Sequence, residues 1–358
     1  MADTEKKERK SATTLTDRER KVLDAVVRIY VETAEPAGSR NVARRSDLGV
    51  SPATVRNTMS DLEEKGFLFH PHTSAGRVPT DQAYRLFVEE LMRPAVLTEK
   101  EREQLEQVLE GTTAAAVERL VRNATRALSV LSHELGVAAG PSLDQAVLEK
   151  LDLIQVSSNK VLLVASIRSG VVRTVYVDLP GEVPEETLVT LTLLLNERLA
   201  GLTLEEIRET FAARMRDAMP DEDSVAEELL NIFMQSSQEI FDFPAEGGGH
   251  IHLGNASVLA SQPEFTSGER MRSLLELTER PELLASVLGG RDHRHGIQIT
   301  IGGEHGQAEL ADFTLVTAEY RVGGLKGIIG VIGPTRMPYE KVIAIVDHTS
   351  SLVNKILE

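Results

Sequence analysis

The chain has 358 residues, of which 41% are hydrophobic and 26% charged, and its formal net charge is -16. This length exceeds what a single core supports efficiently and predicts two or three domains. The composition is that of a globular protein with no apolar run long enough for a membrane span, and the lack of cysteine excludes a disulfide framework and thiolate metal sites.

Basic residues are concentrated near the start of the chain. Residues 1–98 hold 16 of the 39 basic and 15 of the 55 acidic residues, which leaves 23 against 40 for the remainder. Asp47 is the one acid between Arg40 and Ser60, a stretch that contains four arginines: Arg40, Arg44, Arg45 and Arg56. This stretch is either a solvated helix face or a patch for an acidic partner such as nucleic acid. The first residues, MADTEKKERKSATT, lack the apolar centre of a signal peptide, so we expect a cytoplasmic protein.

Three helices are predicted between Leu15 and Gly66. Thr16 is a good N-cap for a helix whose apolar positions recur at helical spacing until EPAGS. Ser39 is the predicted cap of a short helix that runs through Arg45. A glycine-containing turn follows, and Ser51 with Pro52 supplies an N-cap and a first-turn proline for the third helix. This order indicates a helix-turn-helix.

The third helix has one apolar stripe, formed by Val55, Met59 and Leu62, which leaves the opposite face free for DNA. Asparagine pairs bidentately with adenine and arginine with guanine, while small side chains contact the thymine methyl group. Asn57 and Arg56 are therefore the first candidates for base contacts. The full set of DNA contacts predicted from the helices is Ser39, Arg40, Ser51, Ala53, Thr54, Arg56, Asn57 and Ser60.

A β-hairpin wing is predicted after the third helix. Phe67 and Phe69 alternate as in a strand, PHTSAGR forms a loop, and residues 77–79 return as a second strand. Wings contact phosphates or the minor groove. The predicted contacts here are His70, His72, Thr73, Ser74 and Arg77, with ordinary surface histidines as the alternative for the first two.

These segments resemble a known family. AEPAGSR at 34–40, LGVSPATVRNTMSDLEEKGFL at 48–68 and PHTSAGRVPTDQAYRLFV at 71–88 are similar to the N-terminal domain of the heat-inducible transcription repressors of the HrcA family. GLKGIIGVIGPTRMPYEKVI at 324–343 is similar to the C-terminal signature of that family. The chain departs from the family pattern at Ala34, where a glycine is expected, and at Pro52.

Downstream of residue 98 the pattern changes. One long helix is predicted from Glu99 to about Leu135, followed by the break AAGPS. LDLIQVSSN, KVLLVASIRSG and VVRTVYVDLP predict an antiparallel meander, and helical patterns run from about Pro184 to Phe241. After GGG at 247–249 we expect a short strand at IHLG, helices at 270–288, strands near Ile297, Phe313 and Leu325, and a closing helix from Tyr339.

The resemblance implies an α+β multidomain chain, in which a GAF-like domain is interrupted by an inserted dimerising domain. The resulting boundaries are 1–98 for the winged helix-turn-helix, 99–147 and 247–358 for the two GAF-like segments, and 148–246 for the insertion. Alternatively, the meander supplies strands of the GAF-like sheet and only the helical part is inserted. The leucine-rich helix 188–199 is either a core helix or a subunit contact.

Other chemistry has weaker support. His250 and His252, with Asp292, His293 and His295, could form a metal site, but close histidine pairs without a wider ligand pattern are more often surface residues. Glycines 323, 324, 327, 330 and 333 lack the lysine and hydroxyl of a phosphate loop and are predicted to serve tight turns between strands. Neither GxSxG nor HExxH occurs, so we predict no enzyme, no metal and no cofactor.

The functional prediction follows from the DNA-binding pattern and the resemblance. The resemblance implies a repressor of heat-shock chaperone operons that binds an inverted-repeat operator in double-stranded DNA as a homodimer and is modulated by the GroEL chaperonin. The alternatives are a small-effector-sensing winged-helix regulator, and an enzyme attached to a DNA-binding domain. No membrane partner is expected.

Overall fold

The computed structural model describes residues 15–45, 49–72, 75–109, 117–141, 145–168, 172–179, 181, 183–216, 224–235, 241, 251–289, 296–322 and 325–357, with the side chains of 224–228 and 281 left aside. Within these ranges, no helix combines the length and the apolar character needed to cross a bilayer.

The N-terminal unit has the predicted helices and wing. Its elements are α1 (Asp17–Thr33), α2 (Ser39–Arg45), α3 (Pro52–Glu64), β1 (Leu68–Phe69), β2 (Val78–Pro79) and α4 (Asp81–Leu86), the last extended by a π turn over Phe87–Leu91. Thr16 caps α1 in a reciprocal capping box with Glu19, as N-cap threonines with a glutamate three residues later do. At α2 the predicted cap is one residue off, because the Gly38 carbonyl accepts from the Val42 amide and Ser39 is already helical.

The predicted single helix from Glu99 to Leu135 is wrong. The described residues contain two helices that pack on each other, α5 (Glu99–Leu109) and α6 (Val117–Ser132), and Leu135 begins a strand. The two helices bury separate leucines, among them Leu105 and Leu120, in the same core. A single straight helix could not fold back in this way.

An antiparallel five-stranded sheet organises the second half of the chain. Its order is β7-β3-β10-β9-β8, where β3 is Leu135–Ala139, β7 Ile251–Leu253, β8 Gln298–Ile301, β9 Phe313–Val322 and β10 Leu325–Pro334. The closing helix α13 (Tyr339–Leu357) packs on one face together with α6. The helices near the other face are α10 (Ser257–Ala260), α11 (Gly268–Glu279) and α12 (Pro281–Gly289).

The chain between β3 and β7 forms a separate block. The meander is confirmed as a three-stranded sheet of β4 (Leu148–Ser157), β5 (Lys160–Ile167) and β6 (Val172–Asp178). Helices α7 (Glu185–Leu199), α8 (Leu204–Met215) and α9 (Ser224–Gln235) follow. The block has a hydrophobic core of its own, to which only Leu325 of β10 is added from outside among the described residues. Its strands do not join the five-stranded sheet within the described ranges. The alternative in which the meander extends that sheet is therefore wrong.

Three of the glycines assigned to turns lie inside a strand instead. Gly327, Gly330 and Gly333 belong to β10, while residues 323 and 324 fall outside the described residues. A Cβ on Gly330 would lie 2.0 Å from the Val316 carbonyl oxygen, and one on Gly327 would lie 2.3 Å from the Tyr320 ring. Close approach of neighbouring groups, not chain reversal, requires glycine at these positions.

The N-terminal unit shares a core with one face of the five-stranded sheet. Buried residues of α1, α3 and α4 belong to the same cluster as residues of α6, α13, β9 and β10. The rings of Tyr84 in α4 and Tyr339 in α13, 5.7 Å apart, are part of this junction. The helix-turn-helix is therefore packed on the sheet and not joined to it by a linker alone.

Candidate nucleic-acid interface

The third helix is anchored from behind and exposed in front. Ser51 caps α3 by accepting from the Thr54 amide at 3.2 Å, and Val55, Met59 and Leu62 are buried, as predicted. Ala53, Arg56 and Asn57 are exposed on the opposite side. Within the described part of the chain, no hydrogen bond or ion pair engages the side chain of Arg56 or Asn57. Both can therefore meet base edges without breaking an internal contact.

The other predicted contacts of this helix are less available. The Ser51 and Thr54 hydroxyls lie 3.0 Å apart, and Thr54 and Ser60 are half-buried. Hydrogen bonds to DNA from Ser51 or Thr54 would compete with the helix cap. Contacts by these three residues stay a prediction.

The second helix adds positive charge beside the third. Ser39 is half-buried, while Arg40 and Arg44 are exposed and have no acidic partner within 4.0 Å among the described residues. Arg45 instead pairs with Glu32. Arg44 was part of the predicted basic patch but not of the predicted contact set, although its position suits a phosphate contact as well as that of Arg40 does.

The wing is held by its base. Backbone hydrogen bonds of 2.8 and 2.9 Å join Ala37 to Arg77, and β1 pairs with β2. Glu63 at the end of α3 contacts His70 Nδ1 at 2.7 Å and the Arg77 guanidinium at 2.6 Å. His72 is exposed, and the predicted contacts Thr73 and Ser74 lie outside the described residues.

Arg77 is not a freely exposed basic side chain on the wing. Its side chain is 12% exposed and paired with Glu63, so a phosphate contact requires this ion pair to rearrange. Sequence patterns do not reveal this pairing, because Glu63 and Arg77 belong to different elements and no helical or strand period relates them. A DNA contact by Arg77 stays a prediction.

Polar contacts fix the orientation of this interface on the sheet domain. Arg85 in α4 donates to Glu304 and to the Ile299 carbonyl at 2.8 Å, and Asp81 accepts from the Gly303 amide at 2.9 Å. On the other side of the junction, Arg336 donates to the Val31 carbonyl of α1 at 2.6 Å.

The metal hypothesis gains no support from the geometry. In the described ranges, no three histidine or carboxylate side chains group as metal ligands. His252 lies in β7, and the other members of the predicted set, His250, Asp292, His293 and His295, lie outside the described residues.

Two family models match this chain. Residues 14–92 match the winged helix-turn-helix transcription repressor model, HrcA DNA-binding, and residues 118–343 match the HrcA protein C terminal domain. Together they cover the helix-turn-helix, the wing and most of the sheet-containing region.

Curated relatives agree over nearly the whole length. The heat-inducible transcription repressor HrcA of Chlorobium chlorochromatii is 36% identical, covering 96% of this chain and 97% of the relative. That of Geobacter sulfurreducens is 34% identical, covering 97% and 99%. A solved structure described as that of a hypothetical protein has a TM-score of 0.56 at 22% identity, covering 96% of this chain and 97% of the other, which shows a shared fold.

Proposed function

The chain belongs to the HrcA family of heat-inducible transcription repressors, and we propose that it represses heat-shock chaperone operons by binding an inverted-repeat operator as a dimer, with α3 as the reading helix. The family is a DNA-binding repressor family, so DNA is the partner and no reaction is catalysed. Because it acts on DNA inside the cell, a cytoplasmic location is part of the proposal.

The observation that carries this proposal is that Arg56 and Asn57, on a helix whose opposite side is buried, are exposed and have no side-chain partner in the part of the chain that the structure describes. In the major groove, arginine pairs bidentately with guanine and asparagine with adenine. Arg40 and Arg44 on the preceding helix add the positive charge that phosphate binding needs on a chain of net charge -16.

The test is operator binding by point variants. Arg56→Ala and Asn57→Ala should each cost about 1–3 kcal/mol of operator-specific binding while binding to random duplex changes less. Arg119→Ala and Gln107→Ala are matched controls, because both side chains are exposed on α6 and α5 and belong to no predicted contact. Parent-like operator affinity of both α3 variants would exclude α3 as the reader.

Dimerisation is proposed to use the outer surface of the three-stranded block. The cross-strand row Ile154, Leu162 and Tyr176 lies on the face opposite the buried residues of β5, and Ile154 and Tyr176 are 50% and 63% exposed. On α7 the leucines 188, 191, 195 and 199 are buried, which supports the core interpretation, while Val189 and Leu193 stay exposed. An apolar surface of this kind favours a protein contact.

The oligomeric state tests this. Ile154→Glu with Tyr176→Glu should convert a sedimenting dimer into a monomer and weaken operator binding, since a two-fold operator needs two reading helices. Val130→Glu is the control, because Val130 is 66% exposed on α6, outside the block. A dimer that survives the double substitution would move the interface elsewhere. Truncation after Leu97 is less informative, because the helix-turn-helix shares its core with the sheet.

We further propose the domain assignment implied by the family: GAF-like segments at 99–147 and 247–358, and an inserted domain at 148–246. The separate core of the block between β3 and β7 supports the insertion. β3 precedes the block in the chain and pairs with β10, which follows it. The five-stranded sheet can therefore form only after the whole inserted block has been synthesised. Such long-range pairing is slow to form and exposes apolar surface meanwhile.

Modulation by the GroEL chaperonin is the last part of the proposal. A repressor that folds slowly competes with heat-damaged proteins for the chaperonin, so its active fraction reports free folding capacity. Adding chaperonin and nucleotide should raise the operator-binding fraction at fixed total repressor, and excess unfolded client should reverse the gain. An active fraction that ignores chaperonin at growth and heat-shock temperatures would favour direct thermal unfolding.

A further inference from the structure

A cavity of about 640 Å³ lies at the junction between the helix-turn-helix and the sheet domain. Its walls come from α1, the π turn after α4, the turn between α6 and β3, and the segment that leads into α13. Exposed residues such as Arg28, Glu32 and His133 form its rim. The volume is in the range of cavities that hold small organic molecules.

Apolar side chains line much of the cavity, and one carboxyl group lies at its floor. Val31, Ala95 and Pro338 supply accessible apolar surface, and the buried side chains of Phe87 and Met337 lie behind it. Glu134 is 1% exposed and accepts a hydrogen bond of 3.1 Å from the Gln262 side chain. A Cβ on Gly333 would lie 2.1 Å from the Glu134 carboxylate oxygen, so the glycine makes room for this carboxyl group.

Every lysine or arginine side chain that lines the cavity already has an acidic partner. Arg28 pairs with Glu340 at 2.8 Å and with Asp24, and Lys341 pairs with Glu101 at 2.8 Å. Arg336, the basic group whose charge acts on Glu134, is held in a two-pronged pair by Glu264. Glu32 at the rim pairs with Arg45.

Glu134 differs from Glu32 and Glu340, the other acidic residues that line the cavity, because each of those two is paired with an arginine. Among the described residues, no basic side chain lies within ion-pair distance of it. Burial raises the pKa of Glu134 well above its ordinary value, while the Gln262 hydrogen bond and the charge of Arg336 oppose that rise and Glu264 adds to it. A buried carboxyl group without a cation is costly to ionise, and a bound cation would remove much of that cost.

We propose that this cavity binds a small molecule with a primary amine or guanidinium group on an apolar body, the cationic group pairing with the Glu134 carboxylate and the body contacting Val31, Ala95 and Pro338. Any proton that the Glu134 carboxyl group carries in the free protein is released to solvent on binding, so that the bound state holds an ammonium–carboxylate pair. The affinity of such ligands therefore rises with pH as long as the amine stays protonated.

The position of the cavity gives binding a consequence for DNA recognition. One wall carries Val31, whose carbonyl accepts from Arg336, and another carries Phe87, which follows the helix that holds Arg85 against the sheet domain. A ligand that fills the space between these walls strengthens the docking of the helix-turn-helix in this orientation. Binding of an amine at this site would thus change the affinity of the protein for its operator. This regulation goes beyond the proposed repressor function and rests on it.

The experiment measures thermal unfolding of the full chain at pH 8 with benzylamine, phenethylamine and agmatine, and with benzyl alcohol and benzoate as neutral and anionic counterparts. At least one amine should raise the unfolding temperature in a saturable way, and the two counterparts should not. Glu134→Gln should weaken amine binding by about ten- to a hundredfold, as expected for loss of a charged hydrogen bond. Glu32→Gln, the matched change at the rim, should leave it unaltered.

Calorimetric titration of the unmodified protein provides a second readout that needs no variant. Performed in buffers of different ionisation enthalpy, it should report proton release of up to one per amine bound. Absence of stabilisation by all three amines, equal stabilisation by benzyl alcohol or benzoate, or unchanged amine affinity in folded Glu134→Gln would each overturn the proposal. None of these results depends on operator binding, so they leave the repressor assignment untouched.

Discussion

The guanidinium of Arg77 in the wing lies 2.6 Å from the carboxylate of Glu63 at the end of the third helix. The same carboxylate contacts His70 at 2.7 Å, so one acid ties the residues next to both strands of the wing to the third helix. Two parts of the surface proposed to contact DNA are therefore held in a fixed relation before DNA arrives, which lowers the ordering cost of binding.

Arg77→Ala should weaken binding to operator and random duplex alike, because a phosphate contact carries no base information. If Arg77 reaches a phosphate, the slope of log affinity against log salt falls by about 1. Gel shifts at several salt concentrations measure this. An unchanged slope with weaker binding would assign Arg77 to wing support through Glu63, and unchanged affinity would remove it from the interface.

Glu101 should make stability depend on acid pH. The Lys341 ion pair at 2.8 Å, followed by hydrogen bonds from the Thr98 backbone and hydroxyl, lowers the pKa of Glu101 to about 2. Because the folded-state pKa is below the unfolded one, this contribution is complete above about pH 4.5 and is lost as pH falls towards 2.

Glu101→Gln should accordingly be less stable than the parent at pH 7, and the difference should shrink as pH falls below 4.5. Urea unfolding between pH 3 and 7 measures it, with Glu103→Gln, an exposed position on the same helix, as the reference. A difference that persists unchanged at pH 3 would show that the carboxylate charge is not the cause.

Arg85→Ala should loosen the helix-turn-helix from the sheet domain. The change removes hydrogen bonds to Glu304 and to the Ile299 carbonyl, which should cost about 1 kcal/mol at this partly exposed site. Hydrogen exchange should accelerate in residues 81–91 and 298–305. Arg122→Ala removes an exposed pair within α6 and should cost less than about 0.5 kcal/mol. Equal losses of stability in the two variants would argue against a special role of Arg85 in holding the helix-turn-helix on the sheet domain.

Gly330→Ala should destabilise the sheet. Its Cβ would meet the Val316 carbonyl oxygen at 2.0 Å and Thr317 Cα at 2.8 Å, and paired backbone cannot move aside as a flexible side chain can. A loss of about 1–3 kcal/mol is expected. Gly268→Ala is at the start of α11, where a Cβ would meet no described atom within 4 Å, and it should be neutral or gain up to about 1 kcal/mol. Denaturant unfolding of the two variants decides, and similar effects would refute the steric argument.

The N-terminal unit shows how far local sequence signals reach. Thr16 with Glu19, and Ser51 with Pro52, mark the starts of α1 and α3 because capping acts within a single helical turn. The stripe of Val55, Met59 and Leu62 identified the buried side of α3 for the same reason, since its period is that of the helix itself. The exposed side of α3, which carries the candidate base contacts, is the side opposite this stripe and could be inferred from it.

The sequence by itself determined elements whose signals are local: the capped helices, the wing, the alternation of β5 and the order of the later strands. Only the tertiary structure decided where chain segments far apart meet. It divided the predicted helix into two, and it placed Gly327 beside the Tyr320 ring and Gly333 beside the Glu134 carboxylate. It also paired Arg77 with Glu63, and it buried Glu134 with no basic side chain in ion-pair distance among the described residues. Such contacts depend on packing between segments that are distant in the sequence, and no periodicity of a single segment encodes which distant side chain fills a given space.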